Sequence, residues 1–123
     1  MKFMMATYAD DSVYDLEHLD DEQRDWLRGI VAFMQQLNAE LESTGELVTA
    51  EGLTASAQAR TVRPQGDDVI TTDGPFAEAK EFLAGFWIID VAGFDRAAEI
   101  AAKIVRFVHA PIELRPVGEA PEV

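Results

Sequence analysis

Apolar residues along this chain recur at two different spacings, and the switches between them mark out its elements. Over residues 2–8, Phe3, Met5 and Thr7 alternate with Met4, Ala6 and Tyr8, the period of a strand, and both faces are largely apolar. From about Asp21 to Thr44, Leu27, Ile30, Val31, Met34, Leu37 and Leu41 recur every three or four positions, which is the period of an amphipathic helix. Asp20, Asp21 and Glu22 stand at its start, where the helix dipole favours acids, and Gly45 stands past its end, where a left-handed cap is useful. Residues 46–52 and 57–63 read as short strands, and Pro64 to Asp68 reads as a turn into a strand over Asp68 to Thr72, which together make a hairpin. Gly85 to Val91 carries bulky apolar groups on both faces, as a central strand does. Gly93-Phe94-Asp95 opens a second helix whose apolar set is Phe94, Ala97, Ala98, Ile100, Ala101, Ile104 and Val108, and Pro111 stops it. A last strand over Ile112 to Val117 has one apolar and one mostly polar face, and Gly118 to Val123 reads as a frayed tail.

This order is a split βαβ repeat, an α+β fold of ferredoxin-like type in which two helices cover one face of an antiparallel sheet. Two helices leave the other face bare. The first strand and the strand around Trp87 nevertheless carry apolar side chains on both faces, and an exposed apolar patch of that kind marks an interface. A homodimer packed sheet against sheet is the economical expectation, since two-fold dimers are the commonest assemblies.

Length and charge narrow the picture further. At 123 residues the chain suits one domain, assigned to residues 1–117 with a flexible tail over 118–123, and is too short for two. Ten Lys and Arg against 23 Asp and Glu give a net charge of −13, which disfavours nucleic acid and anionic membrane as partners. Eight of those acids and a single base, Arg24, fall within residues 10–25. An anionic ligand would therefore favour the later part of the chain. The absence of Cys removes disulfides, Cys-ligated zinc and iron–sulfur sites, and thiol catalysis. No glycine-rich nucleotide loop and no His–carboxylate metal spacing is present, so neither cofactor nor metal is expected. The opening residues are too short an apolar run for a signal h-region or a membrane span, so the expected location is cytoplasmic.

The segment richest in information is Thr72-Asp73-Gly74-Pro75-Phe76-Ala77-Glu78-Ala79-Lys80-Glu81. Asp73 ends a strand, and its carboxylate is able to accept backbone N–H groups one to three residues on. Gly74 reaches dihedrals closed to other residues, while Pro75 fixes its own φ and pushes Gly74 away from the helical region. Phe76 is expected to anchor the turn in the core. The result is a rigid corner that holds one carboxylate in a set direction, either as a structural cap or as a catalytic acid/base or ligand-binding group.

This segment resembles the DGPF motif of the YCII-related superfamily. Supporting it are Glu51-Gly52-Leu53 and Arg60-Thr61-Val62-Arg63 before the motif, then Gly85-Phe86-Trp87-Ile88-Ile89-Asp90-Val91, and the closing Glu113-Leu114-Arg115-Pro116-Val117. The resemblance runs from Met1 to about Val117 and implies a ferredoxin-like protomer forming a dimeric α+β barrel. About activity it implies less. Some YCII relatives act as small-molecule lyases or dehydrohalogenases, and DGPF proteins are often encoded beside extracytoplasmic-function sigma factors. In other branches a His on the first helix pairs with the Asp. Here that helix has no His, so the dyad does not carry over.

Other candidates follow from residue type. His18 lies near Asp15 and Asp21 in the acidic loop, and that loop matches no calcium-binding spacing. His109 ends the second helix, where a cation caps favourably or a general base is held. Tyr8 and Trp87 either line a cleft or fill the core. Arg60, Arg63 and Arg115 either clamp a carboxylate or phosphate or pair with Glu51 and Glu113. Two functions result. The first is a small dimeric protein that binds a modest organic molecule between sheet and helices, with Asp73 as acid/base in lyase-type chemistry and Tyr8, Arg60 and Arg115 as ligand-binding residues. The alternative is a non-catalytic ligand-sensing or regulatory module associated with a sigma factor.

Overall fold

Eight elements of regular structure follow one another in the computed structural model, which describes residues 1–76 and 80–122. They are β1 (Lys2–Ala9), α1 (Asp21–Ser43), β2 (Leu47–Gly52), β3 (Arg60–Gln65), β4 (Asp68–Asp73), β5 (Phe82–Asp90), α2 (Phe94–Val108) and β6 (Glu113–Pro116). Short 3-10 turns lie at Asp11–Tyr14, Leu16–His18 and Ser56–Gln58. Four strands form one antiparallel sheet in the order β2-β5-β1-β6. With two helices in the crossovers this is the ferredoxin-like α+β arrangement. The hairpin β3-β4 forms a separate two-stranded sheet, inserted between β2 and β5.

Both ends of α1 are closed by local chemistry. The Asp20 carboxylate accepts the Gln23 backbone N–H, and the Gln23 side chain accepts the Asp20 N–H, which satisfies two otherwise orphaned donors. At the other end Gly45 takes φ +78°, and Glu46 N–H bonds Leu41 O while Gly45 N–H bonds Glu42 O, the paired bonds of a Schellman cap. The second helix ends on His109, the one non-glycine residue with positive φ (+57°) among those described, and its N–H bonds Val105 O. The helix is thus closed by the His109 backbone before Pro111 is reached.

Helices cover the sheet face that carries Phe3 and Met5 of β1 and Trp87 and Ile89 of β5. Phe3 lies opposite Ile89 and Met5 opposite Trp87, so these four pack as cross-strand pairs. Leu37 and Leu41 of α1 and Ala97, Ile100, Ala101 and Ile104 of α2 close over them. The opposite face presents Met4 beside Ile88 and Ala6 beside Phe86. Thr49 and Glu51 of β2 flank this stripe on one side, and Arg115 and Glu113 of β6 on the other. It is an apolar centre with a polar rim, in which Met4, Phe86 and Ile88 are half-buried.

Two boundaries move. Residues 56–58 form a 3-10 turn, so β3 begins at Arg60 and includes Pro64 and Gln65. The hairpin turn is therefore the two residues Gly66-Asp67, with Gln65 opposite Asp68 and Gly66 at φ +61°, since a two-residue hairpin needs a positive φ at its first central position. Part of the expected acidic stretch after the motif, residues 77–79, lies outside the described residues.

Candidate functional site

The DGPF corner is held by its backbone. Gly74 has φ +97°, the left-handed side of the map that favours glycine. Its N–H bonds Ala59 O at 2.8 Å, and the buried Thr61 hydroxyl donates to its carbonyl at 2.9 Å. Asp73 takes no part in this. Its side chain is 97% exposed, and its closest partner is Arg60 Nε at 3.8 Å, an exposed pair of small energetic value. Among the described residues no backbone N–H donates to its carboxylate, so the turn geometry comes from Gly74 and Pro75 and not from an Asx bond. Phe76 departs from the expected core anchor. It is 79% exposed, because the corner projects with the hairpin beyond the helix-covered layer, and its ring lies 5.5 Å from the Arg63 guanidinium.

The cations proposed as a clamp are not brought together. Arg60 and Arg63 belong to the hairpin, and Arg115 lies on the edge strand of the four-stranded sheet, 3.1 Å from Glu113 on its own strand. Tyr8 is exposed at the end of β1, opposite Leu83, beyond a register shift after Thr7. The His18 ring nitrogen Nδ1 meets both Asp15 carboxylate oxygens at 2.7 and 2.8 Å on the surface, and no group of residues suited to a metal occurs among those described.

A different place has the shape of a site. Between α1 and the β2-β5 edge lies a cleft of about 290 Å³, lined among others by Thr7, Met34, Asn38, Gly85 and Trp87. It is at the small end for ligand pockets. Trp87 Nε1 donates to Asn38 Oδ1 at 2.8 Å. Indole nitrogen only donates, so the Asn38 oxygen must face it, which leaves the Asn38 NH₂ as a donor beside the cleft. Gly85 borders the cleft where β5 meets β2. A Cβ at that position would come within 2.9 Å of the Glu51 carbonyl, so only glycine lets β2 and β5 approach this closely.

The sequence model of the YCII-related domain matches residues 1–120. This chain belongs to the YCII-related family. An uncharacterized protein of Rhizobium meliloti (strain 1021) is 27% identical over 128 residues, spanning 98% of this chain and 99% of its own length. Within this YCII-related fold the DGPF residues form the corner at the foot of the hairpin, and the cleft uses residues outside that motif.

Two features of the structure have little or no local signature in the sequence. One is Asn38, a polar residue within the apolar stripe of α1, and that interruption was the available signal. The other is the pair Glu46–Arg96. Arg96 donates to both Glu46 oxygens at 2.9 Å and to Glu99 at 2.8 Å, a bidentate geometry that ties the start of β2 to the first turn of α2. The Arg96 hydrogen bonds hold the Glu46 carboxyl well below its ordinary range, at about 2, and Glu46 in turn raises the Arg96 pKa. No local pattern announces a contact across fifty positions. No described helix is long and apolar enough to cross a membrane.

Proposed function

We propose that this YCII-related protein binds a small organic molecule in the cleft between α1 and the sheet, with the Asn38 amide as the group that orients it. The supporting observation is the Trp87–Asn38 hydrogen bond, which engages the amide oxygen and leaves the NH₂ of this cleft-lining residue as a donor. Thr7 donates its hydroxyl to Gly85 O at 3.2 Å and keeps its lone pairs free to accept. A ligand with a carbonyl or carboxylate oxygen next to an apolar body suits that lining of Met34, Ala50, Ala84 and Trp87. Glu51, the one titratable residue among the cleft's described lining residues, lies opposite Phe86 and so on the other face of the sheet. Binding is therefore better supported within one chain than acid/base catalysis by Asp73, which stands on the hairpin. Ligand sensing without turnover uses the same cleft and is the second reading.

Thermal denaturation in a panel of small organic acids, amides and aromatic compounds tests the proposal. A ligand at a hundred times its dissociation constant stabilises by about 2.7 kcal/mol, and Asn38→Ala is expected to abolish the rise in Tm. A rise of the same size in Asn38→Ala would place the ligand elsewhere. Turnover of a ligand found this way, and its loss in Asp73→Asn, separates the lyase-type reading from the sensing one.

We also propose that the protein is a homodimer, joined through the open sheet face. The stripe of Met4, Ala6, Phe86 and Ile88 with its rim of Glu51, Thr49, Glu113 and Arg115 has the anatomy of an interface.

A further inference from the structure

The chain leaves more surface bare than its mass accounts for. It exposes 9023 Å², whereas a compact monomer of 13.6 kDa exposes about 6,600 Å², an excess of about 2,400 Å². A standard interface takes about 800 Å² from each partner, and obligate dimers take more. The open sheet face cannot supply the excess alone, because Met4, Phe86 and Ile88 are already half-buried and Ala6 is buried. The hairpin can. The three most exposed large apolar residues described are Phe76 at 79%, Val69 at 64% and Val62 at 63%, and all belong to the hairpin or the corner at its foot.

The register shows how these residues are arranged. Arg60 lies opposite Asp73, Val62 opposite Thr71 and Pro64 opposite Val69, so all six project from one hairpin face. On the other face Thr61 is buried against Gly74, and Arg63 lies against Phe76. The hairpin therefore has an inner face that meets its own corner and an outer face with Val62, Pro64 and Val69 towards the turn and the Arg60–Asp73 pair at its foot, whose valines stay exposed among the described residues. A lone two-stranded hairpin is at best marginally stable in water, so a covering surface has a physical role.

We propose that the β3-β4 hairpin is an arm whose outer face packs on a second copy of this chain, carrying Arg60 and Asp73 into the interface. This rests on the homodimer reading above. The exposed Asp73 carboxylate then becomes part of a site formed between two copies, and the environment that a buried acid/base or ligand-binding group needs is supplied by the partner. The corner held by Gly74 and Pro75 sets the direction in which the arm leaves its own protomer.

Two measurements on the full chain test this. Sedimentation gives the dimer dissociation constant of the wild type and of Val62→Ser/Val69→Ser, whose changes lie on exposed positions and leave the helix-covered core intact. A rise of about tenfold for each valine, about a hundredfold for the pair, is expected. Hydrogen exchange above and below the dissociation constant is expected to show β3 and β4 amides protected in the dimer and exchanging in the monomer, with β1 and β5 protected in both. A monomer at every concentration overturns the homodimer reading and this inference with it. A dimer whose dissociation constant is unchanged in the double variant, or whose hairpin amides exchange equally at both concentrations, overturns the arm alone.

Discussion

The helix-covered layer and the hairpin are built from the same kinds of residue and end in opposite environments. In the layer, Phe3, Met5, Ile89, Ile100 and Ile104 are almost completely removed from water, and all five belong to one core cluster built from sheet and helix residues. In the hairpin, Val62, Val69 and Ile70 are exposed, and Thr61 alone is buried. The difference teaches that the layer is stabilised by its own packing, whereas the hairpin is shaped by its turn and its corner and lacks a core. Gly66 and Gly74, both at positive φ, set its two ends, and the covering surface proposed for it is that of a second copy.

The contrast is open to attack by substitution, starting with the largest effect. Ile100→Ala removes a fully buried side chain and is expected to cost roughly 2–5 kcal/mol in chemical denaturation. A loss below 1 kcal/mol would mean that the layer is not the stabilising core. Glu46→Gln breaks the bidentate pair with Arg96 and is expected to cost roughly 1.5–3 kcal/mol at neutral pH. Its pH dependence carries a sign. The Glu46 pKa is about 2 in the folded state against 4.5 as the ordinary value, so its contribution is complete above about 4.5 and is lost as pH falls towards 2. Denaturation of the wild type across that window should lose stability that Glu46→Gln does not lose; equal slopes would remove the assignment. Asp20→Ala deletes the cap of α1 and should cost about 1 kcal/mol by the same measurement. Smallest of all, Val69→Ala measured on the monomeric form should stay within about 0.5 kcal/mol. A Val69→Ala loss as large as that of Ile100→Ala would erase the distinction between the two regions.

Much of the layer was legible in the sequence because its periodicities are strong. Leu37 and Leu41 gave the buried side of α1, and Ile100 and Ile104 that of α2, while Gly45 correctly marked the helix end. The hairpin was legible as a pair of strands, but alternation reports which residues share a face and not which sheet the strands join. That is why its separation from the four-stranded sheet was not visible. Phe76 illustrates the same limit. An aromatic residue after a turn reads as core by its chemistry, and its exposure follows only from the hairpin's projection. Asp73 was rightly put at a strand end, since Gly74 and Pro75 define the corner locally. The direction of its carboxylate depends on what surrounds the hairpin, which local sequence does not encode. Asn38 and Arg96 act through contacts with Trp87 and Glu46, far away along the chain, and their roles emerge only when the fold brings those partners together.

The hairpin and the open sheet face lead to one proposal, that the YCII-related protomer pairs with a second copy. Sedimentation velocity of the full chain at micromolar concentration tests it most directly. The prediction is a single species of twice the 13.6 kDa chain mass, dissociating only on dilution. A stable species of 13.6 kDa throughout the micromolar range would contradict it.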